Sequence, residues 1–414
     1  AAAFDPGADS LAFAWDFGDG SGPVTGSAAQ HAFPDNGTYT VTLTVTDGDG
    51  GTTMRTMEVP VTNVAPALVP VGAQTATEGA LFAIADIATF TDPGFANALR
   101  GTAESFMFTI EWGDGSPASS GNATIDVPGV PDRPTTGSFG GSHIFADNGT
   151  YIVTLTLTDD DGGTQSATTT VTVQNAAPNV AIGTLTTLNE GSQRTFTPVA
   201  TFTDPGFANA ARNTAESFSF TIDWDDASPL ETGMATIDTP GGPGLPTTGS
   251  VGGDHTYADN GQYTVVVSVT DDDGGQGVAR ATIDVQNVAP IVDVPLDTVN
   301  LVAGDQLRLV GSFTDPGADQ WQVLVDYLGI GRFNPIVRTG TTFSLARVYD
   351  TPGTFQVTVK VRDDDGGEGT DTLTVIVAAA GPPPASPVAV QSVAPLTVLE
   401  DAPDVVGHAN LNSV

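Results

Sequence analysis

An acidic five-residue turn recurs four times along this chain, and its spacing restricts the fold more than any other feature. It stands at Asp47-Gly48-Asp49-Gly50-Gly51, Asp159-Asp160-Asp161-Gly162-Gly163, Asp271-Asp272-Asp273-Gly274-Gly275 and Asp363-Asp364-Asp365-Gly366-Gly367. Asp47, Asp159 and Asp271 lie 112 residues apart, and Asp363 follows after a further 92. An Asn-x-Ala-Pro tetrad begins at Asn63, Asn175 and Asn287, and an Asp-Pro-Gly triplet begins at Asp5, Asp92, Asp204 and Asp315. Self-similarity at a fixed period means one unit copied in tandem. The 414 residues therefore divide into repeats at 1–64, 65–176, 177–288 and 289–379, each of ordinary domain size. Measured against the later copies, the first lacks roughly its opening 25 residues. Residues 380–414 read as a Pro-rich linker, Gly381-Pro382-Pro383-Pro384, and the truncated start of a further β domain. Opening on Ala-Ala-Ala-Phe-Asp without Met, the chain reads as a fragment of something longer.

Within each repeat the apolar residues alternate with period two. Before the first acidic turn, Tyr39, Val41, Leu43 and Val45 alternate with threonines. The same pattern carries Tyr151, Val153, Leu155 and Leu157, then Tyr263, Val265, Val267 and Val269, then Phe355, Val357, Val359 and Val361. Such alternation, rich in β-branched residues, predicts half-buried antiparallel strands. A second strand carries Phe13, Trp15 and Phe17, with counterparts ending at Trp112 and Trp224. No segment keeps a helical period, so the fold class is all-β: tandem sandwiches arranged as an extended rod. Asp-Asn-Gly precedes the aromatic at Tyr39, Tyr151 and Tyr263, where an immunoglobulin-like sandwich places a tyrosine corner. Phe355 has no hydroxyl, and the fourth repeat is expected to be the least regular.

Charge narrows the partners. Twelve Lys+Arg against 49 Asp+Glu leave a net charge of −37, which repels phosphate backbones and anionic membranes and argues against nucleic-acid binding. Only 15% of residues are charged while 39% are hydrophobic, unlike a disordered acidic tail. With no cysteine, disulfides, thiolate metal sites and a cysteine nucleophile are excluded. No apolar run reaches the ~20 residues that span a bilayer.

Trp15-Asp16-Phe17-Gly18-Asp19-Gly20, His31-Ala32-Phe33, Gly37-Thr38-Tyr39-Thr40-Val41 and Val45-Thr46-Asp47 together resemble the polycystic kidney disease (PKD) domain. Repeats two and three match more loosely, at Trp112-Gly113-Asp114-Gly115 and Trp224-Asp225-Asp226-Ala227, and the motif is lost at Val325-Asp326-Tyr327-Leu328-Gly329. The resemblance covers roughly residues 1–378. It implies seven-strand sandwiches serving as spacers or interaction modules in secreted and cell-surface proteins.

The acidic turns are the strongest chemical signal. A hairpin needs one Asp for its turn, and three consecutive carboxylates repel one another. In an immunoglobulin-like sandwich the loop between the second and third strands shares an end with the loop between the last two. That geometry gathers Asn63, Asp92 and Asp159 to Asp161, then Asn175, Asp204 and Asp271 to Asp273, then Asn287, Asp315 and Asp363 to Asp365. Hard oxygen donors clustered on turns suit Ca²⁺, so Asp161, Asp273 and Asp365 complete the candidate ligand set. The spacing is not that of an EF-hand, because twelve positions from Asp159 end at Thr170. The resemblance adds that PKD-like domains of bacterial collagenases bind calcium with a corresponding set. Affinity is expected on the order of 10⁻⁴–10⁻³ M, as for extracellular modules. Glu78 and Glu190, each before a Gly, lie at the opposite pole and face the next repeat. Each is read either as a ligand added across the junction or as an exposed turn acid.

Other candidates reduce to structure. His31, His143 and His255, replaced by Arg347 in the fourth repeat, stand alone in their copies and read as local hydrogen-bonding residues. Trp15, Trp112 and Trp224 read as core. No nucleophile elbow, P-loop or His-Glu-x-x-His occurs, and the chain is expected to have no enzymatic activity. Repeats two and three carry insertions at Phe95-Ala96-Asn97-Ala98 and Phe207-Ala208-Asn209-Ala210 and around 127–141 and 239–253. These read either as binding loops or as edge elaborations that discourage sheet pairing. The function expected is a non-catalytic extracellular structural or adhesion stalk, stiffened by calcium where repeats meet. Its partners would be neighbouring domains of the same chain and cell-surface polysaccharide or protein. The alternative is a carbohydrate- or protein-binding accessory module of a larger secreted hydrolase.

Overall fold

A computed structural model describes residues 2–7 and 9–381. From 382 onward, the expected linker and further β domain lie outside the described residues. One compact unit runs to Val288 and includes Pro316–Ala318; a second comprises Ala289–Asp315 and resumes at Asp319. Every regular element among the described residues is a strand.

Repeat two shows the plan. One sheet orders Thr124–Val127, Thr135–Ile144, Leu81–Asp92 and Ala67–Pro70; the other orders Gln74–Thr77, Thr164–Gln174, Gly149–Asp159, Phe106–Glu111 and Ser119–Asn122. Nine strands appear where seven were expected. The opening strand breaks after Pro70 and its second half pairs parallel with Thr164–Gln174 in the opposite sheet. Residues 119–127 also change sheets, pairing first with Phe106–Glu111 and then with Thr135–Ile144. Repeat three repeats this order strand for strand.

The alternation in the sequence becomes the core. Tyr151, Val153, Leu155 and Leu157 are buried against Ile87, Phe90, Ile110 and Trp112, while the intervening threonines face outward. Truncating a fully buried leucine such as Leu155 to alanine would cost about 2–5 kcal/mol. The tyrosine corners form: the hydroxyls of Tyr39, Tyr151 and Tyr263 donate to the carbonyls of Asp35, Asp147 and Asp259 at 2.9, 2.7 and 2.9 Å.

Repeat four corrects the expectation of irregularity. Its four- and five-stranded sheets follow the order of repeat three, and Tyr349 donates to the Tyr327 carbonyl at 3.0 Å as Tyr257 of repeat three donates to that of Trp224 at 3.2 Å. Repeat one is the exception, with the single sheet Val24–Thr25, Ala12–Asp16, Gly37–Thr46 and Thr52–Val61.

The histidines are structural. His31, His143 and His255 stack on Phe17, Trp112 and Trp224 and bond through Nε2 to Asp19, Asp114 and Asp226 at 2.7, 2.6 and 2.8 Å. Burial would raise the Asp114 pKa, but hydrogen bonds from His143 and Ser116 outweigh it and hold it at about 2. These stacks correct the alignment of the first repeat. Phe17, not Trp15, is the counterpart of Trp112 and Trp224, and Trp15 pairs with Leu43 as Ile110 pairs with Leu155.

Candidate metal centres

In the acidic turns of repeats two and three, the three aspartates have three different jobs. The first braces the hairpin: Asp159 Oδ1 accepts the Asp161 and Gly163 amides at 3.1 and 2.6 Å, and Asp271 does the same for Asp273 and Gly275 at 3.1 and 2.7 Å. Their carboxylates also hold the linker, taking the Asn63 side-chain amide at 2.9 Å and that of Asn175 at 3.1 Å. The second ties down the loop between the second and third long strands, where Asp160 and Asp272 accept the Ser105 and Ser217 amides at 3.0 and 3.1 Å. The third, Asp161 or Asp273, faces the preceding repeat. A hairpin alone needs only the first, which explains why a triplet of like charges is present.

At the seam between repeats two and three, oxygen atoms of Glu78, Asp147 and Asp273 lie within 4.8 Å of one another. Each pair of negative charges at that distance repels by on the order of 3 kcal/mol at an effective dielectric of 20. Glu78 is 3% exposed; its Oε1 accepts the Ala176 amide at 2.9 Å, and its Oε2 has no partner. Asp204, 1% exposed, accepts the Gly206 amide at 2.8 Å through Oδ1 and leaves Oδ2 without a partner. Asn175 Oδ1 is likewise buried and without a partner. Glu216 closes over the same spot: a side chain at Gly206 would meet Asp204 Oδ1 at 3.0 Å and Glu216 Oε1 at 3.1 Å.

Protonation reports the same crowding. Burial, then the charges of Asp204, Asp273 and Asp147, push Glu78 up to about 7 against the pull of the Ala176 amide. Burial and Asp272, Asp204, Glu78 and Asp147 push Glu216 to about 8. Burial and the acidic turn push Asp204 to about 6, despite the Gly206 amide.

The seam between repeats one and two repeats this geometry without the glutamate from the preceding repeat. Asp35, Asn36, Asn63, Asp92, Glu104 and Asp161 line a cleft of about 130 Å³. Asp92, 2% exposed, accepts the Gly94 amide at 2.7 Å through Oδ1 and leaves Oδ2 without a partner. Burial, then Asp160, Asp92, Asp35 and Asp161, raise Glu104 to about 8. Burial and the acidic turn raise Asp92 to about 6 against the Gly94 amide. Burial, then the Asp35 carboxyl, raise Asp161.

In the fourth repeat, oxygen atoms of Asp315, Asp319 and Asp363 lie within 4.8 Å of one another, as do those of Asp319, Asp364 and Asp365. Asp315 also accepts the Trp321 indole N–H at 2.8 Å. Asn287 follows the strand Gln276–Gln286, next to Val288, whose amide donates to Glu190 Oε1 at 2.7 Å.

The donor sets fit a hard divalent cation. Carboxylate and amide oxygens converge, several of them buried without a partner, and Ca²⁺ takes six to eight such oxygens. Asp35, Asp147, Glu104, Glu216 and Asp319 did not enter the candidate set read from the sequence. A signal for two of them was present: Thr-Ala-Glu-Ser recurs at 102–105 and 214–217, with the same 112-residue period as the acidic turns.

Residues 1–62 and 131–174 match the family model described as the PKD domain. The chain is a tandem array of β-sandwiches, and these stretches of its first two repeats are similar to the PKD domain. Among solved structures, the I-band fragment I67–I69 from titin is 11% identical with a TM-score of 0.31, covering 77% of this chain and 100% of that one. The human desmocollin-1 ectodomain is 13% identical with a TM-score of 0.22, covering 90% of this chain and 75% of that one. The protocadherin gamma B4 extracellular domain is 15% identical with a TM-score of 0.24, covering 89% and 60%. No curated protein matches the chain in sequence. Tandem PKD-like domains are consistent with a structural or adhesion module.

Proposed function

We propose that this array is a non-catalytic extracellular stalk whose PKD-like repeats are locked to one another by Ca²⁺ at their seams. At the second seam the ligands are Glu78 and Asp147 from one repeat and Asp204, Glu216 and Asp273 from the next, with the Asn175 carbonyl from the linker. At the first they are Asp35, Asp92, Glu104 and Asp161. Asp159 and Asp271 serve as braces that aim the third aspartate. The observation that carries this reading is Glu78: a carboxylate 3% exposed, with one oxygen lacking any partner, facing two more carboxylates. Burying such a group costs several kcal/mol unless a proton or cation compensates it. A bound cation favours the docked arrangement over the free repeats, so binding and stiffening are one process.

Thermal unfolding of the full chain in calcium, magnesium and chelator tests this. With a dissociation constant near 10⁻⁴ M, about 5 mM Ca²⁺ stabilises by roughly 2 kcal/mol per site, or about 10 °C for repeats of this size. Magnesium, which demands a small octahedral shell, would give less. Equal melting temperatures in all three would leave a spacer without a metal.

A further inference from the structure

The first insertion of repeats two and three is engaged with the repeat before it, and the contact is the same both times. Asn97 Nδ2 donates to the Asp19 carbonyl at 2.9 Å and Arg100 to the Gly18 carbonyl at 2.9 Å. One period later, Asn209 donates to the Asp114 carbonyl at 2.9 Å and Arg212 to the Gly113 carbonyl at 3.0 Å. Each guanidinium lies over the corner tyrosine, Arg100 at 4.7 Å from the Tyr39 centroid and Arg212 at 5.0 Å from that of Tyr151. The Phe95 and Phe207 amides complete the grip, donating to the Pro34 and Ala146 carbonyls at 2.9 Å each. The receiving turn has to present two carbonyls outward, which the left-handed glycines Gly18, Gly20, Gly113 and Gly115 allow.

The last glycine of each turn has a second reason to lack a side chain. A Cβ on Gly20 would stand 3.2 Å from the Leu99 Cβ, and one on Gly115 would stand 2.7 Å from the Ala211 Cβ. The third repeat carries Ala227 at this position, in the same left-handed conformation at φ 64°. The fourth repeat, in turn, runs Asp315-Pro316-Gly317-Ala318-Asp319-Gln320-Trp321 and contains no Phe-Ala-Asn insertion.

We propose that the Gly-Asp-Gly turn of a PKD-like repeat is a socket for the Asn-x-x-Arg loop of the repeat that follows, and that its last residue sets the order of the array. Glycine admits a loop-bearing repeat. Alanine closes the socket, so the third repeat ends the run of loop-bearing neighbours. The socket acts through backbone carbonyls and an aromatic face, and it does not depend on a bound ion.

The absence of native cysteine makes the test direct. Spin labels on Thr168→Cys in repeat two and Gln276→Cys in repeat three, in the full chain with chelator present, report the distance distribution across the second seam. The parent is expected to give one narrow distribution. Gly115→Ala, which places the third repeat's residue in the second socket, is expected to broaden it at least about twofold, in line with its Cβ clash. Ala211→Gly, which removes the methyl that is struck, is expected to restore the narrow distribution in the double variant. Arg212→Ala is expected to broaden it without changing the socket backbone, so a folding defect in Gly115→Ala does not decide the matter. A parent that is already broad in chelator, a Gly115→Ala distribution as narrow as the parent's, or a double variant that stays broad would each overturn the proposal.

Discussion

The seam between repeats one and two and the seam between repeats two and three use the same residues 112 positions apart, yet they differ by one carboxylate. Asp35, Asp92, Glu104 and Asp161 reappear as Asp147, Asp204, Glu216 and Asp273. Glu78 joins the second set, and the position one period before it falls ahead of residue 1, so among the described residues the first seam has no such glutamate. There the acids line an open cleft of about 130 Å³. At the second seam Glu78 also clasps the linker through the Ala176 amide. The turn glycine beside it, Gly79, leaves room for the Pro205 carbonyl of the next repeat, a position any side chain would occupy. A single glutamate thus does two opposite things. It is an added ligand in the proposed cation site, and without a cation it adds repulsion to a crowded seam.

That contrast sets the sizes of the expected effects. Removing calcium should release the Glu78 clasp at the second seam while the Asn-x-x-Arg sockets stay engaged. In hydrogen exchange of the full chain, the amides of Gly79 and Ala176 should lose about tenfold more protection in chelator than that of Phe95 at the first seam. Equal losses would mean that Glu78 does not distinguish the two. Glu78→Gln should come next, lowering calcium affinity at the second seam by about tenfold, or about 1.4 kcal/mol, while leaving the first unchanged in a calorimetric titration. A variant that binds as the parent does would reduce Glu78 to a linker clasp. Smaller and seam-specific changes, about threefold, are expected for Asp161→Asn at the first seam and Asp273→Asn at the second. Affinity lost at the wrong seam would show that the third aspartate does not face the ion.

The pH dependence should be the smallest effect and carries a definite sign. In chelator the folded-state values of about 6 for Asp92 and Asp204, 7 for Glu78, and 8 for Glu104 and Glu216 exceed the ordinary carboxylate values of the unfolded chain. The folded state therefore holds more protons, and stability present below about pH 4 is lost as pH rises toward 8. Calcium competes with those protons, so the same scan in calcium should flatten or reverse. A melting temperature in chelator that rises from pH 5 to 8 would contradict the crowding described at both seams.

Much of this was legible in the residues. The alternation in Tyr151–Leu157 determines a strand with one buried face, and the 112-residue period determines how many such units there are. The same period-two logic explains a failure. Trp15 and Phe17 are two residues apart on one strand, so both point inward, and alternation alone cannot tell which of them is the counterpart of Trp112. The stack on His31, the pairing of Trp15 with Leu43 and the shared Gly-Asp-Gly that follows decide it. Asp35 and Asp147 were passed over for a related reason. Asp35 and Asp147 sit in Asp-Asn-Gly turns that look complete as turns, and their second role exists only because the next repeat brings Asp161 or Asp273 against them. The docking loop was equally hidden, because its acceptors are backbone carbonyls, which carry no side-chain signature.

Crystals of the full chain grown in calcium, with the anomalous signal used to place any cation, test the central claim most directly. The account predicts a peak bounded by Glu78, Asp147 and Asp273, with oxygen ligands at about 2.3–2.6 Å, and a weaker one beside Asp92 and Asp161. Ordered water or protonated carboxyl pairs at both seams, with no peak at saturating calcium, would contradict it.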